Sequence, residues 1–136
     1  MTYNIWFEKV TKERIAEVIR VITEADADFI CLQEVTEESR TMIKESNLVK
    51  NHYLGVGGSI SDNDFIVPYG VMIISKYPCL FYEKYFKSKM GRSVLFAEPI
   101  VPINLIVATS HFESFGASAY LRKAQMTETF WLLEFA

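Results

Sequence analysis

The sequence has little of what breaks or staples a chain: six glycines, four prolines and two cysteines in 136 residues. So sparse a supply of Gly and Pro excludes a collagen-like or low-complexity chain. With half of the residues hydrophobic and 14% aromatic, there is apolar surface enough to offset the entropy of ordering a core, so disorder is excluded too. Cys31 and Cys79 both lie in apolar runs with no metal-ligand spacing, which argues for two buried thiols in a reducing compartment rather than a disulfide framework. No apolar run approaches the roughly 18 residues that a membrane-spanning helix requires. The first residues also lack the basic and apolar regions of a signal peptide. A soluble intracellular protein of the cytoplasm or nucleus is the expectation. An excess of positive charge is missing as well: the formal net charge is −3, so no global basic field gathers nucleic acid. The one basic cluster, Lys84, Lys87, Lys89 and Arg92, reads as a solvated strand face.

What is there is patterned. Residues 2–7 are β-branched and aromatic, as in a strand. Thr11 then caps a helix whose apolar positions, Ile15, Val18, Ile19 and Ile22, follow the spacing of one buried helical face. The nearly continuous apolar run 28–35 predicts a strand covered on both faces, and Thr36 opens a second helix through about Ser46. The order β-α-β-α argues for a layered α/β core. Residues 56–64 read as a loop, dense in glycine and short polar residues. Four strand-like runs follow at 69–76, 79–86, 93–98 and 104–110, close enough together for antiparallel hairpins or a meander. From Ser118 a last helical pattern carries Leu121, Ala124, Phe130, Trp131 and Leu132. That helix has neither a glycine nor a basic stop signal, and it ends in large apolar groups. The expectation is that a continuation or another chain covers them.

Three polar residues sit where plain packing does not place them. Asn4 lies in an aromatic strand, Glu34 ends the run 28–35, and His111 follows the strand 104–110. Layered α/β proteins gather ligands at strand ends, where a rigid core presents a few polar groups. Each also has a plain structural reading: a capped backbone group, a solvated carboxylate, a satisfied histidine.

The local sequence around these residues decides between the readings. T-Y-N-I at 2–5 is similar to the T-W-N opening strand of the endonuclease/exonuclease/phosphatase superfamily, and F-I-C-L-Q-E-V at 29–35 to its L-Q-E strand. Y-G-V-M-I-I-S-K-Y-P at 69–78 resembles a family strand and turn of the form G-V-x-I-x-S-K-x-P. T-S-H-F-E-S at 109–114 resembles the T-S-H-L-E-S segment of the tyrosyl-DNA phosphodiesterase group. K-M-G-R-S-V-L-F at 89–96 and R-K-A-Q at 122–125 are weaker echoes, the latter of an Arg-x-x-Gln on a helix. The order and spacing of these matches carry the resemblance, since no single one is specific.

The resemblance implies an α/β (α+β) fold, the N-terminal part of a four-layer α/β/β/α sandwich of the DNase I-like type, in which each half supplies one sheet and its covering helices. It implies hydrolysis of phosphate esters with Mg²⁺ (Mn²⁺ serving as well), and, by the group it resembles most, a 5′-phosphotyrosyl DNA end of the kind met in DNA repair. Glu34 matches the family's metal-binding glutamate. Asn4 matches the asparagine that helps hold metal and phosphate, and His111 a histidine beside the scissile phosphate. Arg92 is a further phosphate-side candidate and Glu113 a supporting one. The family pattern continues with G-D-x-N and then S-D-H, and neither motif follows His111 here. The residues at hand are therefore expected to be incompetent alone, and to need a C-terminal half or a second chain. The alternative is a non-catalytic binding or assembly module.

Overall fold

The Thr11 side chain accepts a hydrogen bond from the Arg14 N–H at 3.2 Å. In the computed structural model, which describes residues 1–59, 69–102 and 104–135, this cap opens helix α1 (Lys12–Glu24). Its Ile15, Val18, Ile19 and Ile22 are buried, as the spacing predicts. The helix is the crossover between two parallel strands, β1 (Thr2–Asn4) and β2 (Phe29–Val35), which place Asn4 beside Gln33. β1 is shorter than predicted: Trp6 takes a left-handed conformation (φ 58°) and the chain makes a 3₁₀ turn over Phe7–Lys9. At Thr36 a capping box, in which Thr36 and Ser39 each accept the other's backbone N–H, starts α2 (Glu37–Glu45). A further helix, α3 (Asn47–His52), was not foreseen, because six residues are too few for a helical period to show.

The predicted loop at 56–64 is corrected in its first part. Residues 55–59 form β3 (Gly55–Ser59), antiparallel to β4 (Gly70–Ser75), and the rest of that stretch lies outside the described residues. Composition pointed the other way because glycine lowers strand propensity. Here it is needed for close approach: a Cβ on Gly57 would overlap the Phe81 ring of the facing sheet. Gly57→Val is therefore expected to destabilise the fold by about 1–3 kcal/mol, read from the urea unfolding midpoint. An unchanged midpoint would mean that the Phe81 ring moves aside freely.

Two sheets result, one in the order β1-β2-β4-β3 and one a meander of β5 (Cys79–Tyr85), β6 (Ser93–Pro99) and β7 (Val107–Ser110). β7 starts three residues later than predicted. The sheets face each other through Cys31, Val71 and Ile73 on one side and Leu95 and Ala97 on the other. Helices α1–α3 cover the outer face of the first sheet over Ile30, Leu32, Met72 and Ile74. Helix α4 (Ala119–Glu134) covers the second sheet, with Leu132 and Leu133 against Val94 and Phe96. Burying each such aliphatic side chain is worth about 1.5–3 kcal/mol.

All four layers are thus present in this chain, which corrects the expectation that one half supplies one sheet. Of the four sheet edges, two concern the site: exposed β1 and partly exposed β7. The expectations for α4 are met at Leu121 and at its uncovered apolar end, and corrected at Ala124. Leu121, Gln125 and Thr129 are buried, while Ala124 is exposed and Phe130 and Trp131 are 67% and 58% exposed. No helix among the described residues is long and apolar enough to cross a membrane.

Candidate active site

The open edges meet at one end of the sandwich. The β2–β4 register slips between Gln33 and Val35, and the bulge residue, Glu34, sits at φ 58°. The bulge turns its carboxylate out of the core toward the ends of β1 and β7, leaving the side chain 14% exposed. A non-glycine residue in this conformation costs about 1–2 kcal/mol, and such costs gather at functional positions. Glu34→Gly is thus expected to be more stable than Glu34→Ala by about 1 kcal/mol in urea unfolding, because both lose the carboxylate and only glycine is at ease there. Equal stabilities would show that the bulge carries no strain.

Both Glu34 oxygens are oriented by the turn after β1. Asn4 donates its Nδ2–H to Glu34 Oε1 at 3.0 Å, and the Phe7 N–H donates to Oε2 at 3.1 Å. Asn4 is fixed in turn, since its Oδ1 accepts the Trp6 N–H at 2.9 Å. Asn4 therefore holds the carboxylate and the Trp6 turn together. Gln33, quoted in the L-Q-E run but not singled out there, donates to Thr2 Oγ1 and Thr109 Oγ1, tying β1, β2 and β7 together under the site.

His111 leaves the end of β7 with its Nε2 3.9 Å from Glu34 Oε1. That is too long for a hydrogen bond. Arg92 lies behind it, 4% exposed, with Nη1 3.0 Å from His111 Nδ1, Nη2 donating to Ser114 Oγ at 3.2 Å and the guanidinium 5.3 Å from the Tyr69 ring centre. A guanidinium has donors only. His111 Nδ1 must then be the acceptor, and the ring proton is left on Nε2, toward Glu34. Burial, aided by the positive charge of Arg92 and opposed by Glu34, pushes the His111 pKa below its ordinary value. The ring is neutral at pH 7 and presents one Nε2–H donor.

Asn4, Glu34 and His111 are thus brought together from three strands of two sheets. Arg92, expected on the phosphate side, sits beneath His111 instead of in the open. Glu113 is 1% exposed and faces the loop before Arg92. Tyr69, which packs on Phe7 at 4.3 Å between ring centres, went unnoticed in the sequence because an aromatic at a strand start reads as core. The cleft in front of the site encloses about 600 Å³, with Thr2, Asn4, Gln33, Ser110 and His111 on its walls.

As a cation site, the donors are hard oxygens, and Glu34 keeps free lone pairs on both. No cluster of three or more His, Cys, Asp or Glu occurs among the described residues, so a zinc or calcium cage does not fit. One oriented carboxylate beside an open cleft does fit magnesium, which keeps several waters and takes few protein ligands.

The profile of the Endonuclease/Exonuclease/phosphatase family matches residues 1–132. The chain belongs to this family. Its fold is the DNase I-like one, and among solved structures it is similar to D. rerio TDP2 complexed with single strand DNA product (18% identity, TM-score 0.79, 99% of this chain and 54% of that one). It is similar as well to C. elegans TDP2 (17%, TM-score 0.80, 98% and 41%). A third is ANGEL2, a 2',3'-cyclic phosphatase, in complex with adenosine-2',3'-vanadate (19%, TM-score 0.72, 92% and 44%). The chain spans about half the length of these structures. No curated protein matches it closely enough to count as a relative.

Proposed function

We propose that this chain carries the cation- and phosphate-holding part of a metal-dependent phosphoric ester hydrolase, acting on a nucleic-acid phosphodiester such as a 5′-phosphotyrosyl DNA end. The observation that carries the reading is the meeting, at the ends of β1, β2 and β7, of an oriented carboxylate (Glu34, held by Asn4) and a neutral imidazole whose only free donor points the same way. The fold's likeness to TDP2 with a DNA product and to a cyclic phosphatase supports phosphate-ester chemistry without choosing the ester.

Glu34 would hold the Mg²⁺ or Mn²⁺, with Asn4 fixing the orientation of its carboxylate. When bound, the cation supplies Lewis-acid polarisation of a phosphoryl oxygen and offsets negative charge. His111 donates from Nε2 to a non-bridging phosphoryl oxygen, a bond that strengthens as charge grows in the transition state. Arg92 serves the phosphate through His111, by keeping the proton on Nε2. Among the described residues, no base for the attacking water stands at this site. Of the other carboxylates, Glu113 is buried and engaged by the 88–90 loop. We assign the base to a further segment or a second chain docking at the open edges β1 and β7. The exposed Phe130, Trp131 and Phe135 favour such an assembly and keep the reading of a split enzyme or binding module alive.

The test is binding of thymidine 5′-phosphate, followed calorimetrically with Mg²⁺ and with EDTA. EDTA-sensitive binding is the expected result, with p-nitrophenyl thymidine 5′-phosphate hydrolysed roughly 10²–10⁴-fold more slowly than by a complete family member, for want of the base. No binding under either condition would overturn the proposal.

A further inference from the structure

The segment after His111 contains a buried carboxylate with no part in the chemistry above. Glu113 is 1% exposed, and its Oε2 is buried with no hydrogen-bond partner among the described residues. Its Oε1 accepts the Ser88 hydroxyl at 2.7 Å, the Lys89 N–H at 2.6 Å and the Met90 N–H at 3.3 Å. Burying a half-satisfied carboxylate is costly, and packing alone does not call for one. Its partners form the hairpin loop between β5 and β6, where Gly91 (φ 65°) turns the chain back.

The loop's last residue is Arg92. Ser88 passes the constraint on, for its Oγ accepts the Arg92 N–H at 2.9 Å, while the Arg92 carbonyl accepts the Phe86 N–H at 3.0 Å. The far side is anchored by α4. Gln125 Oε1 accepts the Glu113 N–H and its Nε2 donates to the Lys87 carbonyl, while Arg122 donates to the Glu113 carbonyl at 2.6 Å. These contacts give the R-K-A-Q run of α4 its structural meaning.

We propose that Glu113 is a positioning residue: through Ser88 it sets where the Arg92 guanidinium meets His111, and thereby which His111 nitrogen carries the proton offered to the phosphate. This rests on the reading of His111 as the phosphate-side donor. Were Glu113 only a loop anchor, disturbing it would loosen the hairpin without an effect particular to His111.

The tautomer is measurable without substrate. The chain has two histidines, and His52, on an exposed helix end, serves as the internal control. At pH 8, ring ¹⁵N spectra of the wild type are expected to show one His111 tautomer, protonated at Nε2. Glu113→Gln and Arg92→Ala should both give mixed tautomers at His111 and leave His52 unmoved. Ser88→Ala, a milder change in a surface loop, should do the same and carries the test if Glu113→Gln fails to fold. A wild-type tautomer in Glu113→Gln or Ser88→Ala would overturn the proposal. In the calorimetric assay, Glu113→Gln should weaken thymidine 5′-phosphate binding roughly tenfold when Arg92 is present and by less than about twofold in an Arg92→Ala background. Equal losses in both backgrounds would also overturn it. Absence of wild-type binding would sink the phosphate reading alone, with the tautomer spectra still deciding the positioning role.

Discussion

Alanine at Glu34 is expected to weaken Mg²⁺ or Mn²⁺ binding by at least about tenfold and to bring phosphodiester hydrolysis down to the EDTA blank. Both oxygens are already oriented, by the Asn4 amide and the Phe7 N–H, so the carboxylate enters a cation's shell with little ordering left to do. No neighbouring acid can take over, because no acidic cluster surrounds it among the described residues. A bound cation contributes several kcal/mol of charge stabilisation, roughly 10²–10⁴ in rate at about 1.4 kcal/mol per tenfold. The direct measurement is Mn²⁺-induced broadening of the His111 ring signals, 3.9 Å from Glu34 in the free protein. Broadening that persists in Glu34→Ala would place the cation elsewhere and remove Glu34 from the site.

The same variant separates two functions of one residue. Glu34 also accepts the Phe7 N–H that holds the 3₁₀ turn, so some stability, about 1 kcal/mol, is lost with the carboxylate. Glu34→Gln keeps acceptor capacity for one of the two bonds and removes the charge. Its cation affinity should resemble that of alanine, while its stability should lie between those of alanine and the wild type. That split would distinguish a lost ligand from a disordered turn.

How far the sequence reached follows from the range of the forces involved. Helix α1 was legible because a Thr cap and four isoleucines or valines at helical spacing act within one turn or two. The β5-β6-β7 meander followed from short connections, but β4, read as the first strand of the same meander, pairs instead with β2 and β3 in the other sheet. β3 was not legible: its Gly57 answers to Phe81, more than twenty residues away and in the other sheet. The bulge at Glu34 is likewise invisible locally, since it depends on slipping against β4. Of the site, Asn4, Glu34 and His111 could be named from motifs, but their convergence could not, because β7 reaches β1 and β2 only through sheet stacking. The burial of Gln125 in α4 has the same origin, because its side chain serves the backbone of Lys87 and Glu113.

Removing the His111 imidazole, as His111→Ala, should separate transition-state binding from cation binding. Cation affinity should stay within about twofold of the wild type, since Nε2 makes no bond to Glu34 that the carboxylate needs. Ground-state phosphate loses one hydrogen bond to a charged acceptor, about 1.5–3 kcal/mol, or roughly 10–150-fold in affinity. A nucleoside vanadate adduct, which approaches the five-coordinate geometry of the transition state, should lose more, because a preorganised donor is aimed at the oxygen where charge develops. The comparison is of dissociation constants for thymidine 5′-phosphate and a thymidine–vanadate adduct, wild type against variant, at pH 8. At that pH the depressed His111 pKa keeps the ring neutral in the wild type, so the difference reports a lost hydrogen bond and not a lost positive charge. Equal losses on both ligands would make His111 a plain phosphate contact. A loss of cation affinity as large as that of Glu34→Ala would make it a ligand, and the division of labour between the two sheets would have to be redrawn.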